Sequence, residues 1–312
     1  MKHFLSRITI LSLLCLAILT TAFTPTDQAI NLELRLKKGQ KFKQWVMNEQ
    51  TIIQTIQGRE QRINQEIGTG YAYEVLNVGP EKYDLKVTYY RMLFSQAVPG
   101  MEQLSSSYDS QKPHEDLKPL ESAVAAQLNK SFEMSLDRKA NILEIRGAEK
   151  LVEEMMVDLE KLNVSMATRQ MQQGLTQTMN GETLKASMRQ LIINLPAKAI
   201  SVGDKWHEEN NIKSVMVMNT YTDFEAMAIN SSTATIKIEG ELETDDNATM
   251  DMGGAQLDVG MGGTIAGEYI IDVKTGLLKS ADYEMEAIGE MSLQGTTIPM
   301  IINTKTSITL EK

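Results

Sequence analysis

The amino-acid sequence predicts an α+β fold in which strongly twisted antiparallel sheets, half-barrel-like and possibly in two related copies, carry helices packed on them. Apolar and polar residues alternate with a period of two over residues 30–95, which is typical of half-buried strands. Residues 148–195 instead show the three- and four-residue spacing of amphipathic helices. Residues 200–310 return to segments rich in valine, isoleucine and threonine, separated by short turns. Such short connections favour antiparallel pairing.

In the first β-rich region, alternation predicts the strands and turn residues predict their connections. Leu32, Leu34 and Leu36 alternate with charged residues, which indicates a strand with one buried face. Mixed alternation continues over residues 41–67, with a turn at Gly58. The other predicted elements are a hairpin of Tyr71–Val78 and Tyr83–Met92 around Gly79-Pro80, a short helix over Leu120–Leu128, and a second hairpin that turns at Asp137–Asn141.

The helical region is predicted in two pieces. Asn180-Gly181 interrupts the helical spacing, and Pro196 ends it. One face of each piece is apolar and the other is charged, so both pieces are expected to pack on a sheet. The apolar positions are Leu151, Val152, Met155, Met156, Leu159 and Leu162 in the first piece, and Leu184, Met188, Leu191, Ile192 and Leu195 in the second.

Three segments of the first β-rich region have counterparts, in the same order, in the second. Leu36–Phe42 matches Ile200–Trp206 at an offset of 164 residues. Tyr83–Val87 matches Ala234–Ile238 at an offset of 151, and the segments beginning at Met134 and Tyr269 match at an offset of 135. The order predicts two copies of one strand module with different insertions. The alternative is that strands and Asp/Gly turns look alike in unrelated segments.

The first 22 residues have the order of a secretory signal peptide. Lys2 and Arg7 precede an apolar run over residues 8–19, and small residues end at Ala22. The run of about 12 residues is shorter than a membrane-spanning helix requires. We expect a secreted or periplasmic protein after cleavage near Ala22, without stable membrane insertion. The predicted organisation is a signal peptide over 1–22, a first β-rich module over 23–147, a helical segment over 148–196 and a second β-rich module over 197–312.

Charge and cysteine content narrow the function classes. Loss of Lys2 and Arg7 takes the formal net charge from −10 to −12, and a chain this acidic repels nucleic acid. The only cysteine, Cys15, lies in the apolar run, so the mature chain is expected to have no disulfide. Lipid attachment at Cys15 is the alternative, although Leu14 stands where processing requires a small residue. Methionine is abundant at 20 residues, which predicts an adaptable core.

Several segments of the sequence resemble those of two known groups of proteins. The signal peptide, Leu195-Pro196 followed by Val202–Trp206, and Gly267–Leu278 together resemble a family of secreted Gram-negative bacterial proteins of unknown function. The strand, Asp-x-x-Thr-Gly turn and strand also resemble elements of the unclosed β-barrels of periplasmic lipoprotein carriers, in which a curved sheet cups helices over an apolar cavity. That second resemblance is architectural and implies no site residues.

The candidates for metal or catalytic chemistry are few. His207 lacks the second histidine of a zinc signature, because Asn211 stands four residues on. The acidic turn at Asp245–Asn247 lacks the spacing of a calcium loop. Thioethers suit Cu(I), but Met216, Met218, Met250, Met252 and Met261 are better explained as core-filling side chains on strands. We therefore expect no metal, no cofactor and no enzymatic activity.

The remaining candidate is a group of helix methionines. Met155, Met156 and Met188 are predicted to face the concave side of the sheet, where flexible side chains can adapt to an apolar ligand. The alternative is that they close the core. The expected function is non-catalytic binding of an apolar or amphipathic, lipid-type ligand at the cell envelope. An interaction or scaffold module with an envelope protein as its partner is the alternative.

The signal peptide yields the first prediction. Protein recovered from the secreted or periplasmic fraction should begin near Phe23, because cleavage is expected after the small-residue segment that ends at Ala22. N-terminal sequencing of that material checks the position. An uncleaved chain found in membranes would contradict it.

Overall fold

The computed structural model of the protein describes residues 29–113, 116–161, 179–213, 217–245, 248–252, 255–293 and 295–311. These residues form one antiparallel sheet of 13 strands. The strands before the helical region are β1 (Lys41–Ile56), β2 (Arg59–Val78), β3 (Lys82–Ala97), β4 (Ser106–Asp109), β5 (Ser131–Asp137) and β6 (Ile142–Arg146). The strands after it are β7 (Lys205–Lys213), β8 (Val217–Ile229), β9 (Thr233–Thr244), β10 (Thr249–Met252), β11 (Ala255–Asp272), β12 (Leu278–Leu293) and β13 (Thr296–Glu311).

The two β-rich regions belong to a single sheet. Its order is β6-β5-β3-β2-β1-β13-β12-β11-β9-β8-β7, with β4 paired to β3 and β10 paired to β11. The two regions join where β1 pairs with β13, in a register that places Val46 opposite Ile308. Both of these side chains are buried, so the join itself is part of the core.

The sheet is unclosed, and a helix lies between its two edges. The described helices are α1 (Pro119–Ala125), α2 (Ala148–Lys161) and α3 (Gly181–Arg189). Strands β6 and β7 are at opposite ends of the strand order, yet α3 contacts both of them. The Lys185 ammonium also donates to the Leu143 carbonyl of β6 at 3.3 Å. The sheet therefore curls until one helix spans the gap between its edges.

The strand order repeats. Within the first region β6-β5-β3-β2-β1 are neighbours in that order, and within the second β12-β11-β9-β8-β7 follow the same pattern. Irregularities in pairing recur at matching places. The β2–β3 register shifts between Val75 and Asn77, and the β8–β9 register shifts between Ala226 and Ala228, exactly 151 residues on. The β5–β6 and β11–β12 registers shift at positions 135 residues apart.

Backbone hydrogen bonds repeat with the same offsets. The Gly39 N–H donates to the Val75 carbonyl, and the Gly203 N–H donates to the Ala226 carbonyl, both at 2.8 Å. The β2–β3 turn is closed by a bond from Gly79 to Lys82, and the β8–β9 turn by one from Asn230 to Thr233. The two regions therefore share a strand order, register shifts and turn bonds, and we call them the first and second copy of this strand arrangement.

The core has two parts. The main cluster combines the leucines of residues 32–36, the helices and one end of the long strands. The described helices make their main contacts with β3 to β7. A second cluster lies further along β1, β8, β9 and β11 to β13, and it is made of strand residues. Its buried members are Leu242, Val259, Met261, Ala287 and Met300.

Glycines allow β11 and β12 to approach closely around the second cluster. A Cβ added at Gly267 would lie 2.2 Å from the Asp282 carbonyl oxygen, and one at Gly289 would lie 2.0 Å from the Gly260 carbonyl oxygen. Both distances are far below van der Waals contact, so only glycine fits at these places. Glycine at these positions therefore permits the close contact between β11 and β12.

The structure corrects the predicted fold class. The protein is mostly β with short helices, because most of the described chain is committed to strands of up to 20 residues. Of the predicted helical segment 148–195, the structure describes α2 and α3, while residues 162–178 lie outside the described residues. Several sheets were predicted and one is present. The hairpins around Gly79-Pro80 and Asp137–Asn141 and the short helix after Lys118 are confirmed.

The prediction of a strand at Leu32–Leu36 is wrong, because these residues do not form a strand. The prediction that one face of the segment is buried is confirmed. Leu32, Leu34 and Leu36 are all buried. The segment forms no strand pairing with any described neighbour. Its one described ladder contact is an isolated bridge between Ile30 and Ile200. We call residues 30–36 the strap, because they run across the core between the two copies. Alternation reports which side chains are buried, and the strap satisfies it without a sheet partner.

Gly276 provides a test of the packing against the strap. Its φ is +72°, and an added Cβ would lie 2.2 Å from the Glu33 carbonyl oxygen. Gly203 also has a positive φ, +90°, but nothing lies within 4 Å of its Cβ position. Gly203→Ala should cost about 1–2 kcal/mol from backbone strain alone. Gly276→Ala should cost roughly 1–3 kcal/mol more, because the methyl group overpacks the strap.

Chemical denaturation of both variants measures the difference in free energy of unfolding. Equal costs for the two substitutions would show that the turn does not press on the strap.

Candidate functional site

The strap is held by the two equivalent turns of the repeated module. The Leu34 N–H donates to the Arg138 carbonyl at 2.8 Å, and the Arg35 N–H donates to the Thr275 carbonyl at 2.9 Å. Arg138 belongs to the β5–β6 turn and Thr275 to the β11–β12 turn. The strap therefore joins the same turn from each copy at one point of the core.

Aspartates shape both turns. The Asp137 carboxylate accepts hydrogen bonds from the backbone N–H groups of Lys139 and Asn141, each at 2.8 Å. In the second copy, the Asp272 carboxylate accepts from the backbone N–H groups of the two residues before Gly276, at 3.0 and 2.8 Å. Such side-chain to backbone bonds fix a turn without any help from the sheet. The predicted turn chemistry at both positions is confirmed.

A small apolar cavity lies where the turns and the strap meet, and we call it the junction pocket. Its volume is about 30 Å³. Side chains of the strap, both turns, β1, β2 and the loop after α3 line it. They are Leu34, Leu36, Phe42, Gln44, Tyr73, Leu136, Ala140, Leu191, Ile192, Ile193, Gly276, Leu277 and Leu278.

Two polar side chains of the junction pocket are buried without a hydrogen-bond partner. Gln44 is 4% exposed and Tyr73 is 3% exposed. Within the described chain, neither the Gln44 Oε1 atom nor the Tyr73 hydroxyl has a partner. Burial raises the pKa of the Tyr73 phenol well above its usual value, so the hydroxyl stays protonated. Native proteins rarely leave buried polar atoms unpaired, so this pair makes the junction pocket the candidate site.

The strands set the positions of these two groups. Phe42 lies directly opposite Tyr73 in the β1–β2 register, and the two rings stack at 4.7 Å between centroids. Gln44 lies two residues along β1, so its side chain is on the same face of the sheet. The aromatic stack fixes the Tyr73 ring, and the pocket wall is therefore rigid on this side.

Two cations of the β5–β6 turn, Arg138 and Lys139, form hydrogen bonds outside the junction pocket. The Arg138 guanidinium donates to the Tyr83 hydroxyl at 2.6 Å and to the Pro80 carbonyl at 2.8 Å. The Lys139 ammonium donates to the Leu32 carbonyl at 2.9 Å and to Asn31. All the described lining side chains are uncharged.

The structure places the predicted methionine site in the packed core. Met155 and Met188 are each 0% exposed and belong to the main cluster, and Met156 is partly buried against it. They are not among the lining residues of the junction pocket. Whether they contact a ligand stays a prediction.

Methionines also gather on the sheet, and two of them, Met218 and Met261, are among those that the sequence analysis interpreted as core-filling side chains. Met261 and Met300 are buried in the second cluster, and Met218, Met285 and Met291 pack against it. In the β11–β12–β13 register Gly289 lies between Met261 and Met300. Of the copper candidates, Met216 lies outside the described residues, and the side chains of Met250 and Met252 are not described.

The sequence alone did not indicate the junction pocket residues. In the sequence, Gln44 is one of many polar residues in a segment of mixed alternation, and Tyr73 is one of several tyrosines in predicted strands. The one available signal was the internal repeat, which places the Asp-turns of both copies at equivalent positions. It could have indicated a shared junction, but not which side chains reach it.

The opposite face of the second copy carries a polar groove of about 530 Å³. His207 lies there, exposed, 2.8 Å from Asp223. Lys205 pairs with Glu225 at 3.0 Å, and Lys237 with Glu239 at 2.7 Å. These pairs are solvated and contribute little to stability. Among the described residues, no group of three or more His, Cys, Asp or Glu side chains could hold a metal ion.

The fold and the pocket together define a class: an unclosed, duplicated antiparallel sheet with a small apolar pocket at the junction of its copies. The chain belongs to a family of unknown function, DUF6263, whose model matches residues 80–278. The expected membership of a family of unknown function is confirmed. No curated protein matches the chain. None of the described helices is both long enough and apolar enough to cross a membrane.

Solved structures similar to this chain include lipovitellin, described for its lipid–protein interactions, and two outer membrane channels. The lipovitellin match has 10% identity and a TM-score of 0.44, and covers 89% of this chain and 26% of that one. The match to the COG4313 channel of Pseudomonas putida F1 has 6% identity and a TM-score of 0.21, and covers 89% of this chain and 97% of the channel. The match to OccK8 (OprE) of Pseudomonas aeruginosa has 6% identity and a TM-score of 0.21, and covers 88% of this chain and 100% of OccK8. Similarities at this level carry no argument about function.

The unpaired Tyr73 hydroxyl leads to a prediction with an internal control. Tyr73→Phe in the ligand-free protein should leave the free energy of unfolding unchanged or raise it by up to about 1–3 kcal/mol, because a buried unpaired group is removed. Tyr83→Phe should lower it by roughly 1.5–3 kcal/mol, because this hydroxyl bonds the Leu34 carbonyl and the Arg138 guanidinium.

Chemical denaturation of both variants gives the two signs. A loss at Tyr73 as large as that at Tyr83 would mean that the Tyr73 hydroxyl already has a partner in the purified protein.

His207 allows a prediction about pH. The hydrogen bond to Asp223 raises the pKa of His207, and the Glu209 carboxylate at 3.6 Å adds to the effect. NMR titration should therefore give a His207 pKa above 6.5, and Asp223→Asn should lower it. Because the folded-state pKa is raised, the contribution of this group to stability is complete below about pH 6.5 and is lost as the pH rises through the folded-state pKa.

Glu225→Gln is the control, since Glu225 pairs with Lys205 instead. A His207 pKa that does not respond to Asp223→Asn would contradict the assigned cause.

Proposed function

We propose that this protein binds an apolar or amphipathic ligand without catalysing a reaction, and that it does so at the cell envelope after removal of its signal peptide. The observation that carries the proposal is the junction pocket. Its walls are apolar, and two polar groups of its lining residues, Gln44 Oε1 and the Tyr73 hydroxyl, have no described partner. Apolar walls with a few well-placed polar atoms are the usual composition of a small-molecule site.

Entry to the junction pocket fits a ligand with an apolar chain. Phe42, Ile192, Ile193 and Leu277 are partly buried, so they form an apolar mouth between the pocket and the surface. Ile192 and Ile193 belong to the loop that follows α3, which has no regular secondary structure. A loop of this kind can move without breaking the sheet. The volume of about 30 Å³ takes the buried end of such a ligand, and its chain would lie along the mouth.

Ligand capture and one pair of variants test the proposal. Native mass spectrometry of the protein from its own envelope should show a copurifying apolar molecule, and the protein should bind a fluorescent fatty-acid-type probe. Ile192→Trp, which fills the mouth, should weaken probe binding at least about tenfold, a change of 1.4 kcal/mol. Val157→Trp is the matched control, since Val157 is 51% exposed on α2.

The outcomes separate the two candidate functions. Loss of binding in Ile192→Trp with wild-type binding in Val157→Trp supports the junction pocket. Binding that is insensitive to Ile192→Trp places the ligand elsewhere. A well-folded protein that binds no probe and copurifies with no lipid favours the alternative, an interaction module for an envelope protein.

A further inference from the structure

We infer that the group of the ligand held inside the junction pocket is an uncharged hydroxyl, so that the preferred ligand is a long-chain alcohol or another apolar molecule with a free hydroxyl group. The inference rests on the proposed function and names the chemistry of its ligand. It follows from the unpaired atoms of Gln44 and Tyr73 and from the charge of the pocket lining.

The lining excludes a charged headgroup. A carboxylate or phosphate buried without a cation loses its hydration and gains no ion pair in return. Arg138 and Lys139, on the β5–β6 turn that supplies Ala140, both donate to groups outside the pocket. A cationic amine meets the same obstacle, because the described lining offers no carboxylate.

A hydroxyl group offers what both unpaired atoms lack. The Gln44 Oε1 atom can only accept a hydrogen bond, so the ligand must supply a donor. The Tyr73 hydroxyl can donate, so the ligand must also offer an acceptor. An alcohol does both through one oxygen. An ester or an aldehyde accepts but does not donate, and it would leave Gln44 Oε1 unpaired.

The size of the pocket agrees with this assignment. A volume of about 30 Å³ exceeds the 10–15 Å³ or so that one water molecule requires, and is far below the volume of most ligand pockets. A hydroxyl and its carbon fit this space. The rest of an apolar chain would leave through the mouth of Phe42, Ile192, Ile193 and Leu277.

The experiment compares two probes of equal chain length: hexadecan-1-ol and hexadecanoate, each displacing a fluorescent apolar probe at pH 7.5. The mature wild-type protein should bind the alcohol at least about tenfold more tightly than the carboxylate. Affinity for the acid should fall as the pH rises, because only its protonated form fits, while affinity for the alcohol should stay constant. Tyr73→Phe and Gln44→Leu should remove most of the preference for the alcohol and leave the stacked wall in place.

Each outcome decides a different question. Equal binding of alcohol and carboxylate, or preference for the carboxylate, overturns the hydroxyl assignment and leaves the proposed function standing. Binding of neither probe by a folded protein overturns the proposed function itself. Preference for the alcohol that persists in both variants places the selective group outside the junction pocket. Unfolding of Gln44→Leu leaves Tyr73→Phe, which keeps the ring and its stack on Phe42, as the deciding variant.

Discussion

The strap is the constraint on which the rest of the molecule depends. A sheet of 13 strands with two free edges has no closed hydrogen-bond ring to hold its curvature. Residues 30–36 supply that restraint, since they bond to the turn of one copy at Arg138 and to the turn of the other at Thr275. The strap also carries three buried leucines into the core. Backbone bonds fix its position and apolar burial supplies the driving force, so the two copies are held at a defined separation.

That separation creates the junction pocket. A gap of about 30 Å³ remains beside the strap leucines Leu34 and Leu36, and Gly276 has no side chain to fill it. Replacement of that glycine is opposed by the strap backbone, so the turn cannot be filled by a larger residue without displacing the strap. The strap therefore both restrains the curvature of the sheet and leaves the junction pocket beside it.

Much of the fold could be predicted from the sequence, because period-two alternation and turn chemistry are local. The hairpins at Gly79-Pro80 and Asp137–Asn141 follow from residues that fix their own backbone. The pairing of β1 with β13 could not be predicted, since it joins residues 246 to 268 positions apart and leaves no local pattern. The alternation in residues 30–36 predicted a strand that is absent from the structure, because alternation is a local pattern and does not report a pairing partner. Burial on one face has period two whether or not a strand lies alongside.

The candidate site was less predictable than the fold. Methionines attract attention by composition, but Met155 and Met188 lie fully buried in the packed core. Gln44 and Tyr73 become notable only through what they lack, a hydrogen-bond partner, and this depends on the packing of every neighbour. A sequence reports the donors and acceptors a chain has, but the structure decides which of them stay unpaired.

The internal repeat places different polar side chains beside equivalent aromatic stacks in the two copies. At the offsets of 164 and 151, Phe42 corresponds to Trp206 and Tyr73 to Phe224, and the second pair also stacks, at 5.2 Å between centroids. Gln44 corresponds to Glu208, which bonds to Asn194 and whose pKa is raised by burial. The aromatic scaffold is therefore common to both copies, while the polar group beside it is an amide in one and a carboxylate in the other. An amide can be buried without the ion pair that a carboxylate requires, so the first copy could be enclosed by the strap and both turns. Enclosure of the neutral copy, with the acidic copy left at the edge strand β7, is the arrangement that costs the least desolvation.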